Sequence, residues 1–188
     1  MGINWKRKLF HLSSALFFLA LTKVLPDNQF RFILLIILMG TLLFEGFRLW
    51  KPQALPLRSF WEPLLREREK RGVSDALWFV LGLFGASIIA PYNYLQPLIL
   101  ILGISDPLAE LTGRKWGRIR LARGKTLEGA LGFALSAFLI TLLSFPNATL
   151  NTLFFLVIPL TFVELLTRKD NLWIPLVGGI ILNLYLKK

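Results

Sequence analysis

Residues 105–132 read "SDPLAELTGRKWGRIRLARGKTLEGALG" and crowd three acids, a run of cations and several glycines into one short stretch. Asp106 and Glu110 are four apart, so on a helix they stand one turn above each other on a single face. From Gly113 to Lys125 come six cations, Arg114, Lys115, Arg118, Arg120, Arg123 and Lys125, interleaved with Gly113, Gly117 and Gly124. Cations at that density, among residues with no side chain to hold a ligand off, suit an anion of several charges, a polyphosphate above all. Gly124-Lys125-Thr126 matches a P-loop only in outline, because that motif needs a glycine at position 119, where this chain has Ile119. Lys125 and Thr126 nevertheless open a helix, whose free N–H groups and positive dipole end favour phosphate. Glu128, in the same first turn, can cap the helix or hold a metal.

The rest of the chain says what must position these groups. Of 188 residues 55% are hydrophobic, mean hydropathy is +0.60, and 16 are Phe and 6 Trp. That is more apolar surface than one soluble core of this length can hide. The runs 32–44 and 127–145 are nearly uncharged and apolar on all sides, as in helices that face lipid. Strand alternation is absent, and backbone in hydrocarbon must satisfy its own hydrogen bonds, so the expectation is an all-α, polytopic integral membrane helical bundle and not a barrel. Seven transmembrane helices are expected, at about 9–25, 31–50, 75–91, 93–112, 127–145, 152–169 and 171–187, in a single domain over 1–188.

With the N-terminus cytosolic, 18 of the 22 Lys and Arg fall inside and only Lys23, Arg31, Lys187 and Lys188 outside, the division favoured by the positive-inside rule. The net charge of +11 is then a topology signal and calls for no nucleic acid. Lys6-Arg7-Lys8 could open a signal peptide, but no small-residue cleavage site follows and Lys23 interrupts, so the first span is expected to be retained. The lack of cysteine excludes disulfides and thiolate metal sites. Asn147-Ala148-Thr149, on the expected outer side, reads as a chance glycosylation sequon.

The acids are less easily explained. Ten of the 11 carboxylates, all but Asp27, lie on the inner half, and so does His11, the one histidine. Insertion sorts Lys and Arg and hardly touches Asp and Glu, so chemistry at the inner face is the better account. A span needs roughly 20 residues. The uncharged run from Pro91 ends at Ser105, so the fourth helix reaches full length only by including Asp106 and Glu110, and the sixth only by including Glu164. A carboxylate at mid-membrane costs about 2.5–3.5 kcal/mol and normally faces a partner, a metal or water. Glu45 with Arg48, in the second span, reads as a structural pair.

Taken together, Asp106-x-x-Ala109-x-x-x-Gly113-Arg114-Lys115-x-Gly117 and Gly124-Lys125-Thr126-x-Glu128-Gly129 resemble the signature of the CTP-dependent lipid-alcohol kinases: dolichol kinase, phytol kinase and CTP-dependent diacylglycerol kinase. Arg7-Lys8-x-x-His11 is similar to that family's opening motif, and Glu164 with Asp170-Asn171-x-x-x-Pro175 to its closing one. Ser105-Asp106-Pro107 departs from the Gly-Asp-Ala type, and Thr126 stands where Ser is common, but neither change removes a functional group. The chain is far shorter than the eukaryotic dolichol kinases it resembles, which implies a catalytic core alone. The related CDP-diacylglycerol synthases share the central pattern, yet their C-terminal His-Gly-Gly and Asp-Arg cluster has no counterpart in "RKDNLWIPLVGG".

The resemblance implies phosphoryl transfer from CTP, with Mg2+ or another divalent cation, to a membrane lipid alcohol at the cytosolic face. The acceptor would be a polyprenol, a dolichol, or a shorter prenyl alcohol such as phytol or geranylgeraniol. Such catalysis is mostly positioning and charge neutralisation. Asp106, Glu128 and Asp170 are then the expected metal ligands. Arg114, Lys115 and Lys125 would hold the triphosphate with Thr126, and Arg7 and Lys8 would assist. His11 and Asp106 are the catalytic candidates, His11 accepting the alcohol proton or touching phosphate. Glu110, Gly113, Gly117, Gly129, Glu164 and Asn171 would support them. Phosphatidate cytidylyltransferase and CTP-dependent diacylglycerol kinase are the alternatives. A small anion transporter ranks behind them, since the outer half carries almost no charge. In the inner loop, Phe60, Trp61, Leu64 and Leu65 suggest an interfacial helix after Pro63, with Arg66, Arg68, Glu69 and Lys70 facing water or headgroups, and a charged linker is the alternative. Pro159, Pro175 and Gly178-Gly179 are expected to kink the last two helices or let them pack closely.

Overall fold

The computed structural model describes residues 4–145 and 150–186, and its regular structure is helical, with one isolated bridge between Arg120 and Thr126. The sequon at 147–149 and the terminal Lys187 and Lys188 lie outside the described residues. Asn4 caps α1 (Trp5–Val24) by accepting from the Arg7 N–H, and Pro26 leads into α2 (Asp27–Trp50). The inner loop holds one helical turn, α3 (Arg58–Trp61), and 3-10 turns at Pro52–Ala54, Glu62–Leu64 and Glu67–Glu69. The interfacial helix expected after Pro63 does not form. Leu65 and Arg66 are both extended and break the chain there.

Ser74 caps α4 (Asp75–Ile89), its hydroxyl accepting from the Leu77 N–H. Residues Tyr92–Trp116 then run as one continuous helical rod of changing pitch. A 3-10 turn (Tyr92–Tyr94) leads into α5 (Leu95–Leu100), a π turn (Ile101–Ser105) and α6 (Asp106–Trp116). The remaining helices are α7 (Leu127–Ser144), α8 (Leu150–Leu166) and α9 (Asp170–Leu186). They fall close to the expected spans, because each apolar run is bounded by a capping residue, a proline or a charged loop.

By length and composition α2, the Tyr92–Trp116 rod and α7 can cross a membrane, while α4 and the greater part of α8 and α9 are shorter apolar helices. Their outer faces suit lipid. On α2, Phe32, Ile36, Met39, Leu43 and Phe47 are each at least 50% exposed and recur every three or four residues, one continuous apolar stripe. The same pattern covers α7 at Leu131, Leu135 and Leu139 and α8 at Phe155 and Phe162. A water-facing surface does not tolerate such stripes.

Inside, α4 packs most extensively against α9, and α6 against α7. Small residues set both distances. A Cβ on Gly82 would come within 2.7 Å of the Asn171 carbonyl, and Gly179 rides against Ala86, so the close packing expected of Gly178-Gly179 is present. Pro159 and Pro175 both sit within helices. Ion pairs and hydrogen bonds join the N-terminal ends of α1, α4 and α9, the residues entering α7, and the C-terminal parts of α2 and α8 to one another or to α6, which gathers the charged residues at one end of the bundle.

Candidate functional site

Asp106 and Glu110 stand on α6, directly after the π turn, and Pro107 helps to explain that turn. A proline has no N–H, so a π-type bond to the Leu102 carbonyl, five residues earlier, cannot form. His11 supplies the missing donor, its Nε2 lying 3.0 Å from the Leu102 oxygen, and its ring meets Phe79 edge-on. The departure Ser105-Asp106-Pro107 is thereby tied to the one histidine. Glu110 gathers three cations from two helices: Arg7 Nη2 at 2.8 Å and Lys8 Nζ at 3.0 Å from α1, and Arg114 Nη2 at 2.7 Å from α6. Lys8 is itself buried and also donates to the Pro107 carbonyl. The opening motif of α1 thus clamps the carboxylate one turn beyond Asp106.

The basic loop between α6 and α7 folds back as a small hairpin, with Leu121 N–H donating to the Lys125 carbonyl and Leu127 N–H to that of Ile119. Its turn places Arg123 and Gly124 at φ of 61° and 78°, a conformation that costs glycine little. Glu128 staples the hairpin, Oε1 accepting from the Arg118 and Ile119 N–H groups at 2.9 and 3.2 Å. Thr126 caps α7 by accepting from the Gly129 N–H. The glycines of the motif serve helix contact more than ligand contact. A Cβ on Gly113 would lie 2.7 Å from Thr126 Oγ1, one on Gly129 2.9 Å from the Ala109 carbonyl, and one on Gly117 would strike the Gly113 carbonyl.

Lys125 turns inward to Glu164 Oε1 at 2.5 Å and Asp170 Oδ2 at 3.0 Å. Burial works against its charge, but Asp170 and Glu164 outweigh burial and hold the ammonium above the usual lysine value. Arg66 behaves alike: burial is overcome by Asp75, Asp106, Asp170 and Glu110. It reaches Asp75 at 3.3 Å, and Arg68 reaches the same carboxylate at 3.1 Å.

Two cavities meet among these residues. A polar one of about 700 Å³ is walled by seven cations, among them Arg66, Arg114, Arg123 and Lys125, and by five acids, and Thr126 and Gly124 border it. An apolar one of about 550 Å³ lies among α1, α2, α4 and the inner loop, with Phe18, Ile37, Phe79 and Trp61 in its wall and His11, Lys8 and Asn171 around it. Arg7, Leu65, Asp106 and Glu110 border both.

The structure therefore brings Asp106, Glu110, Arg114, Lys125, Thr126, Glu164 and Asp170 to one cavity and His11, Lys8 and Asn171 to the adjoining one. Lys115 lies over the Trp116 ring at 4.7 Å and is not part of either wall. Among the described residues no three carboxylate or imidazole groups converge as a ready-made metal site. Asp106 and Asp170 share the polar wall, whereas Glu128 is engaged by the hairpin. Two carboxylates still fit Mg2+, which commonly takes one or two from protein and completes its shell with phosphate oxygens and water. Arg66, Arg68, Arg123 and Arg168 also line the polar cavity.

An uncharacterized protein of Rickettsia prowazekii is 33% identical over 183 residues, covering 91% of this chain and 89% of that protein. The chain belongs to that protein's family. It is also 34% identical over 149 residues to the dolichol kinase of Saccharomyces cerevisiae, covering 76% of this chain and 28% of the kinase. The CTP-dependent diacylglycerol kinase 1 of Schizosaccharomyces pombe is 32% identical over 72 residues, 37% of this chain and 33% of that kinase. The chain spans a third or less of either kinase, and these partial matches relate it to lipid kinases. No family model and no solved structure matches.

Proposed function

We propose that the chain transfers the terminal phosphoryl group of CTP to the hydroxyl of a membrane lipid alcohol at the cytosolic membrane face. The observation that carries this reading is the junction of two unlike cavities at Arg7, Asp106 and Glu110. A water-soluble polyanionic donor and an apolar acceptor need separate approaches and one point of contact. The partial kinship with a dolichol kinase and a CTP-dependent diacylglycerol kinase supports it. The inward bias of Lys and Arg supports the cytosolic side.

In the reaction the alcohol oxygen attacks the terminal phosphorus, the phosphorus bond to the bridging oxygen breaks, CDP departs, and the hydroxyl proton passes to a base. Lys125, Arg66, Arg114 and Arg123 would hold the triphosphate, and Thr126 and the α7 N-terminus would orient it. Asp106 borders both cavities and His11 the acceptor side; with Nε2 engaged by Leu102, the imidazole has Nδ1 left for the proton. A bound Mg2+ would neutralise phosphate charge, with Asp170 and Asp106 the residues to hold it. Phosphatidate, the acceptor in the cytidylyltransferase alternative, would bring a second anion against Asp106, Glu110 and Asp75.

The test uses purified protein in lipid nanodiscs with Mg2+ and CTP labelled at the terminal phosphate, offered geranylgeraniol, phytol, a dolichol, diacylglycerol and phosphatidate separately. Label should appear in an extracted lipid monophosphate and fall about 10²- to 10⁴-fold in Asp106→Asn. Label confined to pyrophosphate, with CDP-lipid formed from phosphatidate, would replace the kinase by the cytidylyltransferase.

A further inference from the structure

The apolar cavity has a consistent hydrogen-bonding character. Its donors are engaged: Ser14 donates to the Phe10 carbonyl at 2.7 Å, Thr41 to that of Ile37 at 2.7 Å, and Trp61 to that of Pro56 at 3.0 Å. One of its acceptors is not. Asn171 is only 4% exposed and gives Nδ2 to the Asp75 carbonyl, while no described residue donates to its Oδ1. A buried carbonyl oxygen without a donor is destabilising until something supplies one. The wall thus asks for a ligand that donates one hydrogen bond at its head and accepts none along its body.

The shape adds a direction. From Arg7 to Phe18 the wall follows α1 for about 16 Å, from the charged junction into the apolar part of the bundle. Its rim lies on the lipid-facing surface, with Phe10, Phe44 and Phe60 at 42, 38 and 68% exposure. Between α1 and α2 the rim has a gap at Gly40, which is exposed and where an added Cβ would meet nothing within 4 Å. A chain lying in the bilayer can therefore slide in sideways without leaving hydrocarbon.

We propose that this cavity takes the hydroxyl end of a single-chain alcohol without ester groups, admitted between α1 and α2 past Gly40, and that Asn171 Oδ1 receives the hydroxyl hydrogen. A diacylglycerol would bring two ester carbonyls close to its hydroxyl; Ser14, Thr41 and Trp61 have no hydrogen to give them, and Arg7 Nη2 and Lys8 Nζ at the charged mouth are directed to Glu110 and the Pro107 carbonyl. Asn171 is a positioning residue, holding the alcohol before its proton leaves. Turnover in this scheme rests on the kinase reading, whereas binding does not.

The test separates the two. A hexadecanol carrying a mid-chain diazirine is photolysed on the full chain in nanodiscs without nucleotide, and adducts are mapped by mass spectrometry. Labelling is expected on the cavity faces of α1 and α2, competed by geranylgeraniol and not by dioleoylglycerol. Gly40→Phe should lower it at least tenfold. Gly46→Phe, the same change at an exposed position of α2 outside the cavity wall, should leave it intact. Asn171→Leu should raise the KM for the alcohol about tenfold at unchanged KM for CTP, and Asn171→Asp, which keeps an acceptor, should restore part of the loss. Adducts elsewhere, equal competition by dioleoylglycerol, or full labelling of Gly40→Phe would overturn the assignment. The expected labelling with no phosphoryl transfer to any acceptor would uphold the cavity and remove the kinase.

Discussion

At one end of the bundle Glu45, Arg48, Glu69, Glu164, Asp170 and Asn171 are all more than 90% buried. At the other end the corresponding positions are aromatic: Phe30 packs against Tyr92 with ring centroids 5.7 Å apart, and Tyr94 stacks on Phe145 at 5.3 Å. Among the described residues the charge at that second end is a partly exposed pair, Asp27 with Arg31 at 2.7 Å, and its buried tie is a hydroxyl, Tyr92 donating to the Leu25 carbonyl at 2.7 Å. Both ends close the same helices, so closure alone does not require buried ions. Desolvating charges is expensive even when they are paired, and the charged end is therefore built for binding as well as for folding. Its charges in turn divide into those that shape the site and those that face it.

Arg48 belongs to the first kind, as the sequence reading of Glu45 and Arg48 as a structural pair anticipates. It forks onto Glu45 and also donates to the carbonyls of Glu69 and Gly72, while Glu45 accepts from the Ser74 N–H. One buried pair thereby fixes the inner loop over both cavities. Arg48→Ala should destabilise the protein by about 3–5 kcal/mol, because Glu45 and two carbonyls lose their partner together; thermal melts in detergent measure it. Lys125 belongs to the second kind. Lys125→Met should lower kcat/KM about 10²- to 10³-fold through lost phosphate stabilisation, with a melt changed far less than that of Arg48→Ala. Equal melting losses in the two variants would erase the distinction between shaping and facing residues.

The same distinction marks what sequence could and could not disclose. Helix positions were legible, since apolar runs ended by Pro26, Ser74 and Thr126 leave little freedom. So was the cluster on α6 and α7, where Asp106, Glu110 and Lys125 are close in sequence. Of the four residues expected to face water or headgroups, Arg68 and Lys70 are exposed, but Glu69 is buried and Arg66 half-buried, because their partners, Asp75 and Glu110 among them, are brought up by folding and not by local spacing. Glu128 was expected to cap a helix or bind metal, yet it accepts from Arg118 and Ile119, a hairpin that no periodicity announces. The π turn escaped notice for a related reason: Pro107 was visible, but the donor that makes its turn tolerable, His11, comes from another helix.

Glu69 gives a smaller test of the charged end. Burial, with Asp75 beside it, pushes its carboxyl up to about 7 from an ordinary value near 4.5. The folded state therefore holds this proton more tightly than the unfolded chain does. The resulting stability is full below the ordinary value and is lost as pH rises through about 7. Melting temperature should fall between pH 5 and 8, and Glu69→Gln, which cannot ionise, should flatten that slope. A slope unchanged in Glu69→Gln would assign the pH dependence to another group.

The smallest effect is expected at the aromatic end, and it carries the comparison furthest. Tyr92→Phe keeps the ring against Phe30 and removes only the hydroxyl that ties the 3-10 turn before α5 to the Leu25 and Thr22 carbonyls at the end of α1. One neutral hydrogen bond of this kind is worth about 0.5–1.5 kcal/mol, so the melt should drop by that much. Activity should not change, because every group assigned to nucleotide or acceptor lies at the far end of α1 and of the Tyr92–Trp116 rod. Steady-state assays beside melts of the same preparation decide it. If Tyr92→Phe lowered kcat/KM as far as Lys125→Met does, the two ends would be coupled through the rod, and the π turn, halfway along it and held by His11, would be the first place to seek the coupling.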